Sequence, residues 1–213
     1  MDVPPLTGPV VDAANVLKRN ELVAIDNALR NLYQTEGIQF QVLIIPELVN
    51  ETIEGYSIKV VDQWKLGNKR EDRGALFLIS INDRKMRIEV GRGLEGNLTD
   101  LTSNRIIREV GPYFAKKDYG NGVALGLALM SQAEGAKLTF GDASMKPRHK
   151  KQSTGSLVIF AIIFIFYIFQ LFFGRRRGIF IAGGGLGGGG FGGGGGWSGG
   201  GGGFGGGGSS GSW

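Results

Sequence analysis

The sequence predicts a three-layer α/β/α sandwich with a small mixed sheet, followed by one transmembrane helix and a disordered glycine-rich tail. Three observations carry that reading. Across residues 10–142 the apolar side chains switch between helical and strand spacing, the pattern of strands interleaved with helices. Leu157–Phe173 is an unbroken apolar run whose single strongly polar side chain is Gln170. From Gly183 onward, glycine is interrupted only by Leu186, Phe191, Trp197, Phe204, Trp213 and four serines. The segments are therefore an extended N-terminus over 1–9, a folded domain over 10–142, a basic linker over 143–156, the apolar helix over 157–173 and the tail over 174–213.

Within the domain, Pro9–Ala14 enters extended. Leu22, Ile25, Leu29, Leu32 and Tyr33 then recur at helical spacing until Gly37, which sets a first helix to about Thr35. Ile38–Ile45 passes from alternation to a solid apolar run ended by Pro46, a strand covered on both faces and central in the sheet. Thr52 is placed to cap a second helix that presents Ile53, Tyr56, Val60, Val61 and Trp64 on one face and ends at Gly67. A polar loop to Arg73 leads into the strand Gly74–Ile81, with a right-handed crossover expected. Asn82–Lys85 is a hairpin turn, because Met86, Ile88 and Val90 alternate with Arg87 and Glu89 as in an edge-near strand with one wet face. After the loop Gly91–Gly96 come helices over about Asp100–Glu109 and Gly122–Glu134, the second rich in small residues and so packed closely.

The apolar run has the minimum length of a spanning helix. It is fenced by Lys146, Arg148, Lys150 and Lys151 before and by Arg175, Arg176 and Arg177 after, so charge counting does not choose an orientation. The start, Asp2-Val-Pro-Pro-Leu, has no basic, apolar leader; it fits a cytoplasmic start and equally a domain whose signal peptide was removed. All 19 acidic residues precede Met145, where 17 basic residues nearly balance them; the other seven basic residues of the 24 flank the apolar run. The net charge of +5 is thus juxtamembrane, suited to anionic headgroups, and nucleic acid is not an expected partner. Cysteine is absent and the one histidine, His149, lies in the basic linker, so chemistry in the domain rests on carboxylates, hydroxyls, cationic side chains or a bound ion. The tail is too poor in apolar side chains to offset the entropy of ordering it, and its aromatic residues suit weak self-association or docking on a partner.

Val11-Asp-Ala-Ala14, Asp72-Arg-Gly74 and above all Asp83-Arg-Lys-Met-Arg-Ile-Glu-Val-Gly-Arg-Gly-Leu-Glu95 with Leu98-Thr-Asp100 resemble the TPM domain family, over about Val10–Glu134. The resemblance is to the bacterial members that carry a C-terminal transmembrane helix and a glycine-rich tail. It departs at Arg73, where the family has asparagine, and at Lys18, where a capping serine is common. The resemblance implies a periplasmic or extracellular domain and a cytoplasmic tail. It also implies a divalent cation, Ca²⁺ before Mg²⁺, a partner among membrane or envelope proteins in quality control or repair, and an acid-phosphatase-like activity in plant members.

The residues themselves offer carboxylates in loops, and oxygen-only ligands favour hard cations. A strand of five residues separates the Asn82–Lys85 turn from the Gly91–Gly96 loop by roughly 17 Å, too far for one ion. The expected metal site is therefore Asp72, Glu95 and Asp100, with Asp12 and Asp83 forming a second pocket. Taken singly, Asp12, Asp83, Asp100 and Asp118 are also ordinary turn or cap residues. In a phosphatase, Arg84 or Arg92 would neutralise the ester. No nucleophile–base pair is visible, and Gly91-Arg-Gly-Leu-Glu-Gly96 carries a carboxylate that would repel phosphate.

Overall fold

The computed structural model describes residues 1–67, 72–141 and 207–213, and at its centre is one five-stranded mixed sheet in the order β1-β2-β3-β4-β5. Residues 1–148 and 201–213 form one compact unit; a second, 149–200, lies outside the described residues, as does the expected membrane span with its flanking lysines and arginines. No helix among the described residues is long and apolar enough to cross a membrane.

β1 (Val10–Asp12), β2 (Gln39–Ile45) and β3 (Gly74–Ser80) run parallel, and β4 (Lys85–Val90) is antiparallel to β3. α1 (Arg19–Glu36) and α2 (Ile53–Trp64) make the two crossovers, with α3 (Asp100–Ala115) and α4 (Tyr119–Ala133) following. Strand alternation then sorts the core into two layers. Phe40, Val42, Ile44, Phe77 and Ile79 face α1, α3 and α4. Leu43, Ile45, Leu76 and Leu78 face α2. The strands step in one direction, yet α1 and α2 lie on opposite faces, so the two crossovers are of opposite hand and one departs from the right-handed rule.

Local chemistry explains the element ends. Gly37 closes α1 in the left-handed conformation, φ 66°, and Thr52 Oγ1 accepts the Gly55 amide at the start of α2. At Lys18, Glu21 reaches back 2.9 Å to the Lys18 amide, half of a capping box, so this uncapped side chain does not leave the turn unsupported. α4 packs closely, as its small residues require: a Cβ at Gly126 would lie 2.8 Å from Phe77 and one at Gly122 2.9 Å from Phe114. α3 runs on past Gly111 and Pro112, beyond the expected end at Glu109, because Val110 and Phe114 are core residues.

Two expectations are corrected. β4 is neither an edge nor half wet: Arg87 is 7% and Glu89 0% exposed, because α2 covers them with a polar residue, Ser57, rather than leaving them to water. The tail is also not disordered to its end. Gly207–Ser212 forms β5, antiparallel to β4, with Lys85 opposite Ser212 and Val90 opposite Gly207. Backbone pairing with β4 and contacts with α3 supply the order that its own side chains lack.

Candidate functional site: the edge of β4

β5 lies in a groove floored by β4 and walled by α3, and its side chains alternate between the two faces of the sheet. On the α3 face, Ser209 Oγ accepts from Asn104 Nδ2 at 3.2 Å, and a Cβ at Gly211 would lie 2.5 Å from Ile107 Cγ2. Further along this face, Trp213 stacks at a tilt on Phe114, ring centres 5.0 Å apart, over the bare backbone of Gly111. On the α2 face, Ser210 accepts from Arg87 Nη1 at 3.0 Å and donates to Glu54, whose carboxyl is held below the usual range chiefly by that hydroxyl. Gly208 has φ 141° and a Cβ there would run into the Ile88 carbonyl oxygen, so only glycine fits. Its amide donates to Asp100 Oδ1 at 2.7 Å, and Glu95 crowds Gly207, where a Cβ would sit 2.8 Å from Glu95 Oε1. Trp213 N donates to the Arg84 carbonyl at 3.2 Å, which ties the end of the strand to the β3–β4 turn.

Beneath the groove is a buried polar cluster. Arg87 Nε lies 2.6 Å from Glu89 Oε2 and 2.9 Å from Ser57 Oγ, and the Ser57 hydroxyl is 2.8 Å from Glu89. Glu89 Oε1 is buried without a hydrogen-bond partner among the described residues. Burying two charges is recovered only by good geometry and extra hydrogen bonds. Arg87 obtains one of those bonds from the tail, through Ser210.

Of the acidic residues singled out in the sequence, Glu95 and Asp100 both lie against the β5 backbone. Asp72 adopts a left-handed backbone, φ 47°, and offers its carbonyl to the Gly93 amide at 3.3 Å. Asp12 Oδ2 caps the Leu17 amide at 2.8 Å, while its Oδ1 is buried and unpartnered. Asp83 binds the Leu48 amide at 2.7 Å and the Ser80 hydroxyl, which together hold its carboxyl below the usual range. Asp12 and Asp83 thus act as turn formers. Asp118 lies at the start of α4, where Asn121 Nδ2 donates to its carboxylate at 3.0 Å. Arg84 and Arg92 are exposed. Among the described residues no group of three or more histidines and carboxylates is placed to hold a metal ion. Arg87, Asn104, Ser57 and Phe114, which make the groove, were not singled out in the sequence; Arg87 sits inside the quoted motif but reads there as a surface charge.

Fold and edge together define an α/β sandwich domain whose sheet is completed by a segment distant in sequence. The chain belongs to the TPM domain family, whose model matches residues 10–133. It is similar to the solution NMR structure of the N-terminal domain of a protein from P. gingivalis, at 30% identity and a TM-score of 0.56, covering 61% of this chain and 83% of that one. It also matches the N-terminal domain of the cg2496 protein from Corynebacterium glutamicum at 14% identity and a TM-score of 0.49, covering 71% and 95%. No curated protein matches it.

Proposed function

We propose that this protein is an interaction module that binds an extended glycine- and serine-rich strand ending in tryptophan along the β4 edge, with its own residues 207–213 as the resident ligand. One observation carries the reading: residues 207–213 have a single large apolar side chain, that of Trp213, yet each residue from Gly207 to Gly211, together with Trp213, meets a specific partner. Ordering a chain costs about 1–2 kcal/mol per residue, and glycine loses the most freedom. A burial of one indole recovers about 2–3 kcal/mol, so backbone pairing and the side-chain contacts must supply the rest. This is addition of a strand to a sheet edge, with pockets reading alternate residues.

Tethering to a membrane through Leu157–Phe173, an extracytoplasmic setting and work beside another membrane or envelope protein belong to the same proposal. The apolar run and its flanking bases support the tether. Calcium binding and phosphate-ester hydrolysis rest on the family resemblance alone, and strand docking is the reading that the described geometry favours. The test is titration of the chain ending at residue 206 with the synthetic peptide Gly207–Trp213, followed by indole fluorescence and amide shifts. Saturable shifts along β4 and α3 are the expected outcome. Binding of a peptide of the same composition in scrambled order with equal affinity would refute sequence-selective docking.

A further inference from the structure

We infer that the folded domain and residues 207–213 lie on the same side of any membrane the chain meets. The inference rests on the docking reading above and extends it to the path of the chain. Paired strands sit about 4.7–4.9 Å apart, whereas the hydrocarbon core of a bilayer is about 30 Å thick, so β4 and β5 cannot be paired from opposite sides. Both belong to one compact unit, and Trp213 reaches the core cluster through Phe114.

A chain that crosses once through Leu157–Phe173 would leave its tail on the far side, which is the arrangement the family resemblance implies. A single crossing and a docked β5 are therefore exclusive alternatives.

The chain has no cysteine, so single introduced thiols report cleanly. The experiment labels Gln34→Cys and Ser212→Cys variants of the full chain in sealed membrane vesicles with a membrane-impermeant maleimide, before and after permeabilisation. Equal accessibility at both positions is expected. Protection of one thiol and exposure of the other would overturn the inference, and would leave the docking reading standing if the separate peptide still bound. A Lys85→Cys, Ser212→Cys pair supplies a second readout, since these residues are opposite one another. Oxidation of the full chain in membranes should give an intrachain disulfide. Its absence, with the separate peptide also failing to bind, would remove the docking reading itself and the inference with it.

Discussion

β3 and β5 lie in the same sheet and are held by opposite means. Every residue of β3, Gly-Ala-Leu-Phe-Leu-Ile-Ser, is buried, and its order comes from apolar area removed from water on both faces. β5, Gly-Gly-Ser-Ser-Gly-Ser, is only partly buried and has no apolar side chain of its own; Trp213 follows it as a single anchor. Burial is non-directional and tolerates exchange of one apolar group for another of similar size. The contacts of β5 are directional and steric, so they select residue by residue. The first strand therefore defines a fold, and the second can act as a ligand.

Substitutions should separate the two kinds of strand. The largest effect is expected at Phe77, fully buried in β3 and stacked edge-on against Phe114 at 6.3 Å. Phe77→Ala should cost about 3–5 kcal/mol of global stability, read by denaturant unfolding. A smaller effect should follow at Gly208, where a side chain is excluded by both φ and the Ile88 carbonyl. The peptide carrying Gly208→Val should bind about a hundredfold more weakly to the chain ending at 206, as expected for an unrelieved steric clash, without any change in that chain's own unfolding. If Gly208→Val lowers global stability as much as Phe77→Ala does, β5 is part of the folding core and the contrast fails.

Trp213 tests the anchor. Its ring meets Phe114, which in turn contacts Phe77 and Tyr119, so the anchor touches the core without being enclosed by it. Trp213→Ala should cost about 2 kcal/mol of docking, on the order of thirtyfold in peptide affinity, measured by calorimetry. Wild-type affinity in this variant would transfer the whole of the docking to the backbone and the serines.

The contrast also explains what could be read in the sequence. β2, β3 and the four helices were legible because apolar periodicity reports burial, and Gly37 and Thr52 marked ends by their own chemistry. Arg87 and Glu89 misled because alternation with charge ordinarily marks a wet face; here each charge finds its partner in the other and in Ser57, which no single-strand pattern displays. β5 was illegible for a deeper reason: glycine and serine carry little strand preference, so the strand exists only where β4 and α3 receive it. Glu95, in its glycine-rich loop, and Asp100, at the start of α3, were singled out as cation ligands, and the tail backbone approaches both closely. The folds of α3 and α4 against the sheet made that approach, and no spacing in the sequence records it.

The smallest expected effect is in pH. With the tail docked, the Ser210 hydroxyl is the leading cause that holds Glu54 below its ordinary value, with Arg87 and Lys85 adding charge attraction and burial opposing them. A carboxyl whose pKa is depressed in the bound state favours that state fully above its free pKa, and the advantage is lost as pH falls through the depressed one. Peptide affinity should therefore be flat at neutral pH and weaken severalfold at acidic pH. Asp100 and Glu95 also face the tail, so the decisive comparison is with Glu54→Gln, which removes the charge and keeps an acceptor. That variant should bind more weakly than wild type at neutral pH and show a shallower acid limb. An unaltered acid limb would refute Glu54 as the source of the pH response, leaving Ser210 to be read by Arg87 alone.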